Sequence, residues 1–381
     1  MTPETTGAWL VTLWHNWYVQ DALVGLLLLW SLALGRRLRT QPYWRLAVRE
    51  VAQRRLAVVS FWIIAAYAAI ALADSVGWHP ALRNAQGAVL RDPAGRVLTD
   101  PAGISLLDAA LTPLRTAKEK TYSAPLAAVQ FTSETIAGAD GTVRREYPPL
   151  LHPKRHLLGT DRVGADVLYQ AIKGIRTGMI LGVLTTMLIV PFAIFFGVVA
   201  GYFGGWVDDV IQYIYTVLES IPGVLLIVAF MMIFGRGLPQ LCIIMGIASW
   251  TGLCRVLRGE TLKLREMEYV QSCEAMGGSH RRIILRHIVP NLMHLVVITM
   301  VLGFSGRVLS EAALTYIGIG VGADTCSWGR MINDARMELA RDPVVWWKLA
   351  AAFSFMLGLI LPANIFGDAV RDALDPRLRT R

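Results

Sequence analysis

Long apolar runs alternate with short polar connections along most of this chain. Crossing roughly 30 Å of hydrocarbon takes about 20 helical residues. Runs of that length near 56–74, 178–203, 210–235, 238–257, 292–318 and 344–367 predict six membrane-spanning helices. A seventh run, WYVQDALVGLLLLWSLALG at 17–35, has no Lys or Arg before it and RRLR after it. That is the reverse of a secretory signal, so the run reads as an extra span with its N-terminus outside. Between the first two core runs lies a long polar segment, 75–177, where DPAG occurs at 92–95 and again at 100–103, and ADGT at 139–142. Pro and Gly at those places supply the backbone angles of tight turns, which predicts a small folded insertion with short β-hairpins. The expected fold is therefore an all-α polytopic membrane protein: six core helices, one extra N-terminal helix and an outer insertion. Its expected divisions are 1–55, the extra helix with a basic connection, and 56–381, the transmembrane domain, with the insertion at 75–155 and a cytoplasmic loop at 258–291.

Composition agrees. Of 381 residues, 54% are hydrophobic and 17% charged, and the mean hydropathy is +0.47. That is more apolar surface than a soluble core of this size hides. The net charge of +9 raises the question of nucleic acid, but the arginines cluster beside apolar spans, as they do in cytoplasmic loops of membrane proteins, and no nucleic-acid partner is expected. Residues 36–55 carry seven arginines against one acid, Glu50, and so belong in the cytoplasm. Counting spans from there places 75–177 outside, 258–291 inside, 319–343 outside and the tail RDALDPRLRTR inside. The turn GYFGGWVDD at 201–209 has two acids and no base, so its inner placement rests on parity alone. The four cysteines, Cys242, Cys254, Cys273 and Cys326, lack metal-binding spacing, and only Cys326 falls outside, so neither a disulfide framework nor a metal is expected.

One stretch does not fit a simple connection. EYVQSCEAMGGSHRRIILRHIVPN at 268–291 is polar, basic and broken by two glycines, yet it separates two spans. A helical run should end at Gly277 and Gly278, and Ser279 can cap a second short helix, HRRIILRHIV, stopped before Pro290. Ile283, Ile284, Leu285, Ile288 and Val289 form its apolar side, and Arg281, Arg282 and Arg286 face outward. By periodicity alone an interfacial loop resting on lipid headgroups remains an equal reading.

The same stretch resembles the cytoplasmic EAA loop of permeases of ATP-binding-cassette (ABC) importers, in which EAA is followed by three residues, Gly, nine residues and I-x-L-P. Gly277 and Pro290 fall on that pattern; Gln271, Ser272 and Cys273 replace Glu-Ala-Ala, His287 replaces Ile, and Val289 replaces Leu. RHIVPN is similar to the RHILPN of the oligopeptide, dipeptide and nickel permease subfamily, and HLLGTDRVGADVL at 156–168 to its HxLGTDxxGRDVL, with Ala165 for Arg. GYFGGWVDD, SIPGVLLI, EAALTYIGIGV, SWGRMI and GDAVRDALDPRLR follow in the family's order, so the likeness runs from about 156 to 381. It implies an inner-membrane permease subunit with no catalytic residue. Its coupling helix, with Gln271, Ser272, Cys273, Gly277 and Pro290, would dock on a cytoplasmic ATPase. The implied partners are a second homologous permease, two ATP-binding subunits that use ATP and Mg, an external solute-binding protein and membrane lipid. This chain itself would bind no cofactor. The implied cargo is peptide or a related small solute.

Other chemistry is sparse. No GxxxxGK[ST] occurs, so no P-loop cradles nucleotide phosphates. His152, His156 and Asp161 have spacing that could begin a metal site, but Pro153 interrupts a helix there, which favours a solvent-facing turn. Glu219, Arg307 and Glu311 lie within spans, where ionisable groups line a pathway or brace the bundle, and Arg307 and Glu311 are spaced to pair. Pro191, Pro222 and Pro362 predict kinks. A secondary transporter would show duplicated halves, and an intramembrane enzyme a nucleophile with a base or an HExxH; neither is found.

Overall fold

A computed structural model describes residues 42–81, 89–91, 98, 103–137, 143–322 and 325–374. The extra span expected at 17–35 and the turn sequences at 92–95 and 139–142 lie outside the described residues, as does most of 100–103. The helices, in chain order, are α1 (Pro42–Gln53), α2 (Arg55–Ser75), α3 (Leu106–Ala110), α4 (Thr112–Thr116), α5 (Val167–Phe203), α6 (Gly205–Ser220), α7 (Gly223–Phe234), α8 (Leu238–Arg265), α9 (Glu268–Ala275), α10 (His280–Ile283), α11 (Val289–Tyr316), α12 (Trp328–Glu338) and α13 (Trp347–Leu374). Four short strands accompany them among the described residues: β1 (Gly77–Trp78), β2 (Ile104–Ser105), β3 (Glu134–Ala137) and β4 (Val143–Glu146).

Five helical stretches among the described residues are long and apolar enough to cross a membrane: α2, α5, α8, the continuous run His280–Tyr316, and α13. The sixth expected span, 210–235, is not one rod: α6 and α7 meet at 82°. Pro222 explains the break. It has no N–H to donate, and its ring drives the preceding Ile221 to an extended backbone, φ −89° and ψ 124°. The polar turn expected at 201–209 is also tighter than its composition indicated, because helix resumes at Gly205.

The chain forms two compact units. The first comprises 65–179 with 325–358, the second 42–64 with 180–322 and 359–374. In the first unit β1 pairs antiparallel with β2, and β3 with β4, where Ala137 faces Val143 across the expected hairpin turn. Ser105 closes a capping box at the start of α3: its hydroxyl accepts from the Asp108 amide and the Asp108 carboxylate accepts from the Ser105 amide. That cap is wired into a buried ionic group. Lys173 of α5 pairs with Asp74 at 2.6 Å and Asp108 at 3.0 Å, and the Tyr169 hydroxyl donates to Asp108 at 2.6 Å. The insertion is thereby fixed to the ends of α2 and α5.

The stretch 156–168 winds into a compact turn ahead of α5. Asp161 accepts from the amides of Val163 and Ala165. Indole N–H groups clamp its surroundings, Trp347 donating to the Thr160 carbonyl and Trp328 to the Ala171 carbonyl, each at 2.9 Å. His156 corrects the expectation of a solvent-facing turn. It is 2% exposed, with Nδ1 2.8 Å from Asp166 and Nε2 3.5 Å from Glu119. The Asp166 carboxylate bonds one ring nitrogen and the Glu119 carboxylate stands beside the other, which has no hydrogen-bond partner among the described residues; His152, four residues earlier, is half-buried.

In the second unit α5, α8 and α11 share one core containing Ile189, Val198, Trp250, Leu257, Leu292 and Val296. Lipid tails are as apolar as leucine, so spans associate by close packing and need small residues. GVVAG at 197–201 supplies them. A Cβ at Gly197 would lie 2.7 Å from the Cys254 carbonyl oxygen, and one at Gly201 2.7 Å from that of Arg258. The basic connection 36–55 is partly helical: α1 buries Ala47 among Ala373, Leu374, Val297 and Ile298, and Arg54 pairs with Asp372 at 2.6 Å.

Candidate functional site

The site is built on the last turns of α8. Arg258 grips Asp208 of α6 with two nitrogens, Nη2 donating to Oδ2 at 2.6 Å and Nε donating to Oδ1. This fork-to-fork geometry suits a half-buried pair because both partners keep their hydrogen bonds. It also explains an acid in the 201–209 turn, since Asp208 answers a cation from the neighbouring helix. Arg265 Nη1 donates to the Tyr202 carbonyl at 3.3 Å, and the Tyr202 hydroxyl lies 2.9 Å from His280 Nδ1. Burial pulls Val270, Ile283 and Ile288 into the core, and Asn291 donates to the Tyr269 hydroxyl at 3.1 Å.

On that base sits an elbow. Helix α9 ends in a paired cap: the Gly277 amide donates to the Glu274 carbonyl and the Gly278 amide to the Cys273 carbonyl, both at 2.9 Å. Such a cap requires a left-handed residue at the first glycine, and Gly277 has φ +79°. A Cβ at Gly277 would meet nothing within 4 Å, whereas one at Gly278 would lie 2.7 Å from the Cys273 carbonyl oxygen and 2.8 Å from its Sγ. The two glycines are thus needed for different reasons, one for its angle and one for its lack of bulk. Ser279 starts α10 through its carbonyl, which accepts from Arg282 and Ile283; its side chain makes no cap bond, contrary to expectation.

Pro290 does not stop the helix. Between α10 and α11 runs a π turn, Ile284–Ile288, and the Val289 amide donates five residues back to Ile284. The wider turn relieves the steric conflict between a proline ring and the carbonyl four residues earlier. It also re-phases the side chains. Ile283 and Ile288, five apart, are both fully buried, while Leu285 is 67% exposed, so the expected apolar side is divided. Gln271, Ser272, Glu274, Met276 and Gly277 are exposed, Cys273 is half-buried, and Pro290 is exposed. The Gln271 amide donates to Glu266 at 3.4 Å. Gln271, Ser272, Cys273 and Gly277 therefore share one short segment; Pro290 stands apart on the continuing helix.

The intramembrane charges are not gathered together. Glu219 pairs with Arg255, whose guanidinium also lies over the Tyr215 ring. Arg307 and Glu311 do not meet as their spacing allowed. The Arg307 guanidinium turns back along the helix onto Gly303, while the buried Glu311 carboxylate accepts from the Thr315 hydroxyl at 2.8 Å. Sequence reading missed the Asp208–Arg258 and Tyr202–His280 links that hold the elbow's base. The two acids of GYFGGWVDD, unexplained by loop charge, were the one available signal.

Residues 193–380, which include the elbow, match the family model described as binding-protein-dependent transport system inner membrane component. The chain is 34% identical over 226 residues to the oligopeptide transport system permease protein OppC of Bacillus subtilis, covering 59% of this chain and 73% of that protein. It is 33% identical over 250 residues to the dipeptide transport system permease protein DppC of Alkalihalophilus pseudofirmus, covering 66% and 80%. It is also 31% identical over 225 residues to the glutathione transport system permease protein GsiD of Pectobacterium atrosepticum, covering 59% and 74%. The chain belongs to this family of inner-membrane transport components. It is a multi-pass permease subunit of an ABC importer, a transport component of the cytoplasmic membrane. Within the permease, the elbow combines a buried apolar base with an exposed polar face.

Proposed function

We propose that the elbow is the joint through which a cytoplasmic ATPase drives the permease. The observation that carries this is its two-sidedness: Val270, Ile283 and Ile288 are fully buried in the core, while Gln271, Ser272, Met276 and Gly277 are exposed. A push on the exposed side is passed to packed helices instead of being absorbed by a loose loop. Closure of a docked partner then favours one arrangement of the spans, because its contacts differ between the two states. ATP and Mg belong to two partner ATPases. A second homologous permease supplies the other half of the pathway, and an external solute-binding protein delivers the cargo.

The cargo we assign is a peptide or a related small solute, as the names of the relatives indicate. Arg307 offers a cation to the pathway; Glu219 with Arg255 braces the bundle, and Glu311 with Thr315 does the same within α11. The test is to tag the chain, extract it gently with its neighbouring genes expressed, and identify what copurifies. Met276→Cys should then crosslink to the ATPase. Recovery of a second permease and P-loop ATPases, with a crosslink from position 276, supports the reading. Recovery of the chain alone, or a crosslink absent from an intact complex, overturns it.

A further inference from the structure

A groove of about 390 Å³ runs between α5 and the second arm of the elbow. Its walls are almost wholly apolar: Pro191, Phe195 and Val198 come from α5, and Leu285 and Val289 from the π turn and α11. One charged residue lines it, Arg281. Arg282 and Arg286 stand exposed on the same arm. Among the described residues none of these three arginines has an acidic partner within ion-pair distance.

The depth of the groove restricts its occupant. From Val199 to Pro191 it follows α5 for about 12 Å at 1.5 Å per residue, well into a helix apolar enough to span the membrane. A water-soluble subunit docking on Gln271–Gly277 has no reason to reach Pro191; a hydrocarbon chain from the bilayer does. The arginines belong to a loop whose charge places it in the cytoplasm, beside the leaflet that carries anionic lipid. A guanidinium also binds phosphate with a planar fork that lysine lacks.

We propose that the groove binds an anionic phospholipid, with one acyl chain against Pro191, Phe195 and Leu285 and the phosphate on Arg281. The lipid would wedge between α5 and the elbow's second arm, so leaflet composition would bear on the joint. This assignment rests on membrane residence alone and is independent of what the elbow docks with.

The test uses the intact transporter, purified with its copurifying subunits in nanodiscs. The probe is phosphatidylglycerol carrying a diazirine midway along one acyl chain, compared with phosphatidylcholine carrying the same chain. The expected result is adducts on the 191–199 and 284–289 peptides, favouring phosphatidylglycerol by about fivefold, the ratio one basic residue contributes at an anionic surface. Arg281→Gln should bring the two lipids level. Leu285→Trp, which fills the groove from an exposed position, should reduce both. Equal labelling by the two lipids in the unsubstituted transporter overturns the proposal. So does labelling confined to the isolated chain and lost in the complex, which would mark the groove as a protein interface.

Discussion

Substituting each glycine of the elbow separates three properties that its proposed docking role requires. Gly277→Ala keeps the surface neutral but puts an L-residue at φ +79°, at a cost of about 1–2 kcal/mol. Gly277→Asn removes most of that cost, because asparagine tolerates the left-handed region. Gly277→Asp tolerates it too, and projects a charge from a position where nothing in this chain lies within 4 Å of a Cβ. Gly278→Ala acts differently: its Cβ would lie 2.7 Å from a backbone oxygen, that of Cys273. The cap must open, losing two hydrogen bonds worth about 0.5–1.5 kcal/mol each. An eight-residue helix such as α9 is marginal without its cap and packing. Opening of 268–279 should therefore rise by about tenfold per 1.4 kcal/mol, measurable as amide exchange in the assembled transporter. Exchange should rank Gly278→Ala fastest, then Gly277→Ala, with Gly277→Asn near wild type. Transport in proteoliposomes should follow that ranking except for Gly277→Asp, which should leave exchange and membrane insertion near normal and abolish uptake. If Gly277→Asp transports normally, position 277 does not face a partner and the coupling assignment fails. If Gly278→Ala exchanges like wild type, the cap is not what shapes the elbow.

Three further outcomes follow from the buried charges. Lys173→Met should destabilise the insertion by about 3–5 kcal/mol, since it strands two buried carboxylates, Asp74 and Asp108; accelerated trypsin cleavage of 103–137 is the readout, and Lys173→Met with Asp108→Asn should recover part of the loss. The two unit-one carboxyls should give opposite pH slopes. Burial pushes the Asp108 carboxyl up, but the Tyr169 hydroxyl, Lys173 and the Ser105 amide outweigh it and hold it low, so its stabilisation is full above the ordinary aspartate value of about 3.9 and is lost as pH falls through the depressed one. Burial raises the Glu338 carboxyl despite Lys348 and the Tyr122 hydroxyl, so stability declines as pH rises from the ordinary glutamate range to that raised value, and Glu338→Gln should flatten that part of a melting-temperature profile. In the second unit, Arg258→Lys should cost about 1–2 kcal/mol by losing one arm of the fork to Asp208, and Arg258→Ala more, read by thermal unfolding in detergent.

The spans were legible wherever twenty apolar residues stood together: the run at 56–74 is α2 almost residue for residue. Pro222 signalled a kink, but hydropathy averaged over 210–235 could not register that α6 and α7 part by 82°. Glycine spacing disclosed the elbow, and the family pattern supplied the docking role proposed for it. The π turn was hidden because periodicity assumes 3.6 residues per turn, whereas Ile283 and Ile288 share a face only at a spacing of five. His156 was misread for a related reason. Local sequence records the helix-breaking Pro153, but not that the 156–168 turn folds Asp166 back onto the ring or that Glu119 arrives beside it from the insertion. Arg258 and Asp208, fifty residues apart, meet only through packing.

The wide turn at 284–288 has a mechanical consequence. Because the helix runs on through Pro290, His280–Tyr316 has no pivot of its own between the elbow and the span. The turn at Gly277 and Gly278 is closed by its paired cap, so under the proposed coupling this arm behaves as a crank fixed to its shaft: a partner that tilts the elbow would turn α11 with it. Deleting one residue within 284–288 would rotate the arm about the shaft by about 100° and bring the Pro290 ring back against the carbonyl it now avoids, aiming the exposed face in the wrong direction.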